Sequence, residues 1–134
     1  MPNRLRRRAR LPAVQGSVAR AIAVAWLYAD RARLTPETAE PLAILVEEWV
    51  LNLIEHGGAA ADSQILLRIA RRGDGGVRVT VSDAGAFFDP RGVQTGGPNA
   101  ERGGGAGIAL MQAWSRIVDY RRRGGRNRLV LEIG

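Results

Sequence analysis

The stretch Leu45-Val46-Glu47-Glu48-Trp49-Val50-Leu51-Asn52-Leu53-Ile54-Glu55-His56-Gly57 decides how this chain is read. Its apolar residues recur at helical spacing, and Gly57-Gly58 supplies a stop signal, so it forms the end of a long helix. Four residues make about one turn, which aligns Glu48, Asn52 and His56 on one face. An amide oxygen can coordinate Mg2+, a hard cation that takes oxygen ligands. A carboxylate one turn away can orient or deprotonate a nucleophile. The same stripe also suits the solvated face of an amphipathic helix, and His56 suits a helix end. Taken alone, the stripe leaves both readings open.

Upstream, Thr35-Pro36-Glu37 reads as the start of this helix, with Thr35 as cap, Pro36 in the first turn and Glu37 at the positive dipole end. Leu42, Leu45, Val46, Trp49, Val50 and Leu53 form its buried side, and Pro41 sits early enough to be tolerated with a kink. An earlier helix is expected over residues 17–32, with Val14, Val18, Ile22 and Trp26 at helical spacing, after a short strand over 5–11 ended by Pro12. Downstream, 64–71 and 77–82 alternate as strands about the turn Asp74-Gly75-Gly76. Residues 84–106 form a long Gly-bearing irregular stretch, the kind that is usually functional or disordered. A third helix is expected over 106–117, with Ile108, Met111 and Trp114 apolar. A last hairpin pairs 117–122 with 128–133 across Gly124-Gly125. This order puts helices on one face of a mixed, mostly antiparallel sheet: an α+β two-layer sandwich in a single domain, 1–134.

Two downstream segments add chemistry. Asp83-Ala84-Gly85 follows a Val-rich strand. An Asp at a strand exit can accept a hydrogen bond from an exocyclic amine such as adenine N6, and Gly85 lets a flat base come close; an ordinary Asp-x-Gly turn reads the same way. The phenyl rings of Phe87 and Phe88 supply apolar cover for a base or for the core. Gly103-Gly104-Gly105-Ala106-Gly107 runs into a helix, where free N–H groups and the dipole make a phosphate site; a flexible linker is the other reading. Arg102, just before it, is either a phosphate fork or a solvated loop charge.

Composition narrows the classes. The 134 residues suffice for one domain with a core, and 46% hydrophobic with 25% charged residues marks a folded chain rather than a disordered one. With no Cys and one His there is no disulfide framework, thiolate metal site or His-rich zinc site. All 20 basic residues are Arg, so a Walker-type loop, which needs Lys, is excluded. The net charge of +7 gathers in runs 4–10 and 121–128, with no aromatic interleaved in the first and only Tyr120 beside the second. Nucleic-acid binding is therefore not the main function expected. The N-terminal arginines before residues 21–29 imitate a signal peptide, but Gln15, Ser17 and Arg20 interrupt the stretch. No run reaches the ~20 apolar residues of a membrane span, and a cytoplasmic protein is expected.

Taken together, Glu48-x-x-x-Asn52-x-x-x-His56-Gly57, then Asp83-x-Gly85-x-Phe87-Phe88-Asp89-Pro90, then Glu101-Arg102-Gly-Gly-Gly105-x-Gly107-Ile108 resembles the N, G1 and G2 boxes of the histidine-kinase-like ATPases (the Bergerat fold). Within that superfamily the chain is most similar to the anti-sigma factor serine/threonine kinases, over roughly residues 8–133. Leu11-Pro12-Ala13 before the first helix and the tail from Val118 to Leu131 add to the likeness. The resemblance implies Glu48 as general base and Asn52 as Mg2+ ligand. It places Asp83 on the adenine amine beside Gly85, and His56 within the nucleotide box. It also implies an ATP lid at about 90–107, with Arg102, Gly103, Gly104, Gly105 and Gly107 at the phosphates.

The implied reaction is phosphoryl transfer from ATP, with Mg2+, to a Ser or Thr of an STAS-type anti-anti-sigma partner. The implied regulation is sequestration of a sigma factor, and the family commonly forms a homodimer through the first strand and helix. Three departures stand out: Trp49 follows Glu48 where relatives carry a small or aliphatic residue, the last box has an extra Gly, and the late strand offers Asn127 or Arg128 where other relatives place Thr. The Trp49 and lid departures favour a second hypothesis, a non-catalytic nucleotide-binding module that acts by sequestering a protein. A sensor histidine kinase is not expected, since the sequence shows no helix pair bearing a phosphoacceptor His, and His56 lies in the nucleotide box.

Overall fold

Alternation of apolar and polar residues builds a five-stranded sheet with one dry face. In the computed structural model, which describes residues 6–94 and 105–134, the chain runs β1 (Arg6–Pro12), α1 (Ser17–Arg31), α2 (Pro36–His56), β2 (Gln64–Arg71), β3 (Val77–Asp83), α3 (Gly105–Trp114), β4 (Arg116–Arg123) and β5 (Arg126–Ile133). A 3-10 turn, Pro90–Gly92, follows β3. The strand order is β1-β2-β3-β5-β4. Every pairing is antiparallel, in keeping with the mostly antiparallel two-layer sandwich expected. Among the described residues no helix is long and apolar enough to cross a membrane.

The dry face carries Ile65, Leu67 and Ile69 of β2, Val77, Val79 and Val81 of β3, and Leu129, Leu131 and Ile133 of β5. Against it pack Leu42, Leu45, Val46, Trp49, Val50 and Leu53 of α2, the residues expected from the sequence. Each such side chain contributes about 1.5–3 kcal/mol by leaving water. Helix α2 continues through Pro41, whose missing N–H deprives only the Glu37 carbonyl near the helix start. Thr35 occupies the cap position in extended backbone but makes no side-chain cap bond. Its carbonyl instead accepts from Thr38 N and Ala39 N. Gly58, with φ +71°, turns the chain out of the helix where a side chain would be strained.

Helical spacing leaves open which apolar residues of α1 and α3 are buried. Helix α1 buries Ser17, Ala21, Ala25, Tyr28 and Ala29, while Val14 and Trp26 stay 38% and 46% exposed. Small residues on the inner face let α1 lie close on α2, while Val18 packs at the edge of the core and Ile22 is half-buried. Helix α3 ends at Trp114 because Arg116 already starts β4, and Trp114 is exposed rather than packed.

On the opposite sheet face, Glu132 of β5 is buried beneath three arginines. Arg116 Nη2 donates to its Oε1 at 2.5 Å, and Arg78 donates to Oε2 through both Nε and Nη2. Arg72 lies 3.9 Å away. The hydrogen bonds from Arg78, then those from Arg116, hold the Glu132 carboxyl down at about 2. A carboxyl lowered on folding stabilises the folded state above its ordinary pKa of 4.5, and that contribution fades as pH falls toward about 2. Glu132→Gln is expected to cost about 1–2 kcal/mol at neutral pH, since its partners are largely solvated. Urea denaturation from pH 7 to pH 2 should show the two proteins converging at the acid end.

Candidate functional site

The one-turn spacing of Glu48, Asn52 and His56 places them along one edge of α2, and two later segments meet this helix near its C-terminal half. At the first meeting, a Cβ added to Gly107 in the first turns of α3 would overlap Oε2 of Glu48. At the second, Ala86 N donates to the Gly57 carbonyl at 2.8 Å, and a Cβ on Gly85 would lie 2.5 Å from that oxygen. The two meeting points are about 13 Å apart along α2 by helical rise. Asn52 lies between them on the helix.

Glu48 is partly buried, and among the described residues no cation or N–H pairs with its carboxylate. Burial first, then the neighbouring Glu47 and Glu55, raise its pKa above the ordinary value. An unpaired carboxylate with a raised pKa can take a proton from a hydroxyl. Asn52 is partly exposed and its amide forms no hydrogen bond among the described residues, which leaves its oxygen available to a cation. No group of three or more His, Asp or Glu side chains among the described residues could cage a metal. A cation here would therefore draw further ligands from water or from phosphate oxygens. His56 is exposed at the helix end, its Nε2 4.0 Å from Glu55 Oε1, and is not brought to the other site residues.

Asp83 ends β3 and is buried. Its Oδ2 accepts from Gly85 N at 2.8 Å and from Asn127 Nδ2 at 3.2 Å. Among the described residues, Oδ1 takes no hydrogen bond and remains available to a donor. The register sets Asn127 of β5 opposite Asp83. Asn127 also donates to the carbonyls of Gly85 and Ala86 at 3.0 and 3.1 Å. Arg122, opposite Asn127 on β4, donates from Nη1 to Gly85 O at 2.7 Å and to Asn127 Oδ1 at 2.9 Å. Sequence reading offered Asn127 but missed Arg122. The only signal was its place in an arginine run whose alternate members face opposite sides of a strand.

The Gly85 cradle has no room for a side chain. Gly85→Ala is expected to cost about 1–3 kcal/mol, because the carbonyl it meets is backbone already bonded to Ala86. The measurement is a urea denaturation curve.

The segment after Gly85 is pinned. Phe88 N donates to the Tyr120 hydroxyl at 3.0 Å. Trp49 is buried and stacks on Phe88 with centroids 6.3 Å apart, while Tyr120 meets it edge-on. The bulky residue after Glu48 thus supports the post-Gly85 segment from beneath, and its Nε1 has no hydrogen-bond partner among the described residues. Arg91 pairs with Asp89 at 2.7 Å and donates to Tyr120 O at 3.2 Å. Gln112 of α3 donates to the carbonyls of Pro90 and Val93 at 3.0 and 2.9 Å. The N-terminal end of the expected lid is thereby fastened to α3 and β4. Gly105 opens α3, whereas Arg102, Gly103 and Gly104 lie outside the described residues.

These residues fit a magnesium nucleotide: two glycine cradles, an unused buried carboxylate oxygen at one end, and a free amide and an unpaired carboxylate toward the other. The fold has solved counterparts. The RsbU and RsbW domains of Rv1364c from Mycobacterium tuberculosis match with a TM-score of 0.68 and 20% identity, over 96% of this chain and 32% of that one. This chain thus spans about a third of that match. The SiaB–SiaC complex from Pseudomonas aeruginosa matches with a TM-score of 0.62 and 16% identity, over 95% and 88%. A blue-light activated histidine kinase from Erythrobacter litoralis matches with a TM-score of 0.58 and 19% identity, over 91% and 41%. At these identities the likeness shows the fold alone. No curated protein matches. The sequence profile of the histidine kinase-like ATPase domain covers residues 10–133, and the chain belongs to that family.

Proposed function

We propose that the chain is an ATP-binding partner-switching regulator that phosphorylates a Ser or Thr of an STAS-type anti-anti-sigma protein and holds a sigma factor in the alternative complex. The observation that carries this reading is the bracketing of α2: Glu48 against Gly107, Gly57 against Gly85, and Asn52 between them. Asp83 receives the adenine amine on Oδ1, with Asn127 and Arg122 holding the loop. Asn52 presents its amide oxygen to Mg2+. Gly105, Gly107 and the helix dipole, with Arg102, Gly103 and Gly104, receive the phosphates, and His56 closes the box at the surface.

Mg2+ held at Asn52 would, together with backbone N–H groups, offset the charge that develops on the transferred phosphoryl group. In the transfer, the bond from Pγ to the β–γ bridging oxygen breaks and a bond to the partner's hydroxyl oxygen forms. The hydroxyl proton passes to Glu48, and ADP departs. The test incubates the protein with Mg2+, γ-labelled ATP and the STAS proteins of the same organism. Label on a Ser or Thr of one of them is expected, and label on none would remove the kinase reading.

The exposed apolar stripe on α1 around Trp26 and Leu27 supports a protein-binding role through this helix, whether for a second copy in a homodimer or for a partner. The SiaB–SiaC complex shows this fold in the company of another protein. That stripe also favours a second reading, a nucleotide-binding module that sequesters a partner without transfer. Nucleotide binding with no label on any partner would select it. The site needs no membrane, and a cytoplasmic setting with ATP fits it.

A further inference from the structure

The helices cover one face of the sheet; the other is basic and, among the described residues, has no helix packed on it. Strand register sets Arg8 directly opposite Arg68, and Arg121 opposite Arg128. Like charges in directly opposed positions repel and lower stability. The acids on this face leave the Arg8–Arg68 pair unrelieved. Glu132 is occupied by Arg78 and Arg116, and Asp119 pairs with Arg121 at 2.7 Å. Among the described residues, no carboxylate pairs with Arg8, Arg10, Arg68 or Arg128, and these four line one groove of about 320 Å3. Thr80 and Ser82 also line it, and Leu66 adds an apolar surface 37% exposed.

We infer that this groove is a docking surface for an acidic segment of a partner protein, separate from the nucleotide site and independent of whether transfer occurs. Four unpaired guanidinium forks match carboxylates two hydrogen bonds at a time, and Leu66 supplies contact for an aliphatic side chain beside them. A second copy is the wrong occupant, since it would bring the same sign of charge. Single-stranded nucleic acid is disfavoured because the outward positions of these strands carry no aromatic ring to stack on. Duplex is disfavoured because a broad sheet face has no protruding element to enter a groove.

The test uses fluorescent deca-glutamate as probe, with a ten-nucleotide single strand as competitor, at physiological salt. The variant Arg8→Ser/Arg68→Ser/Arg128→Ser is compared with the charge-matched Arg20→Ser/Arg31→Ser/Arg33→Ser on and beside α1. The sheet-face variant should bind the peptide at least about tenfold more weakly, and the control should change less than about twofold. ATP affinity should be unchanged in both. The sheet-face variant should melt no lower than the parent, because repulsion has been removed. Equal weakening of the two variants would overturn the inference, as diffuse charge would then explain binding. Tighter binding of the oligonucleotide through the same arginines, no peptide binding, or a lowered melting temperature would also overturn it.

Discussion

Glu48→Gln is expected to lower phosphoryl transfer by about a hundredfold or more, the range in which a positioned general base acts, while ATP affinity stays within a few-fold. The substitution keeps size and shape beside Gly107 and removes only the ability to take the hydroxyl proton. Single-turnover transfer from γ-labelled ATP reads the first effect and equilibrium titration the second. A pH signature accompanies it. The Glu48 carboxyl is raised above its ordinary value by burial, then by Glu47 and Glu55. It is therefore protonated and inert below that raised pKa and competent above it. Wild-type transfer should rise with pH through an apparent pKa above 4.5, and the Gln variant should lack that limb. Transfer at the wild-type rate by Glu48→Gln would remove the assigned base.

Asp83→Asn should weaken ATP binding by about a hundredfold or more, because a charged acceptor for the adenine amine is lost in a buried site. The loss has a specificity component. Guanine presents a carbonyl where adenine presents an amine, so the Asp83 carboxylate repels GTP. The Asn variant should bind ATP and GTP with more nearly equal affinity. Asp83 also accepts from Gly85 N and Asn127 Nδ2, so circular dichroism and a denaturation curve must show the variant folded at the titration temperature. A folded variant with wild-type ATP affinity would place the adenine elsewhere.

Much of this arrangement was legible because periodicity fixes which residues share a face. The α2 stripe and the strand ending at Asp83 follow from periods of 3.6 and 2. Periodicity does not say which face meets the core. On α1 the alanine face packs inward because small side chains allow close helix approach, with Val18 at its edge and Trp26 left exposed. Arg122 was hidden for a related reason. Strand alternation separates it from Arg121 and Arg123, but only pairing opposite Asn127 reveals that it points at the Gly85 carbonyl. Trp114 looked apolar by period, but β4 starts two residues later and leaves it at the surface. The antiparallel β3–β5 pairing joins residues 44 apart, Asp83 and Asn127, a distance over which local sequence carries no register information.

On the proposed reading, α2 and its two glycine contacts form a magnesium–ATP site centred on Asn52. Calorimetric titration of ATP, with and without Mg2+, into the wild type and Asn52→Ala tests it most directly. Binding should be strengthened by Mg2+ in the wild type, and that strengthening should be lost in Asn52→Ala. An absence of ATP binding by the folded wild type, or an equal Mg2+ effect in both proteins, would contradict the account.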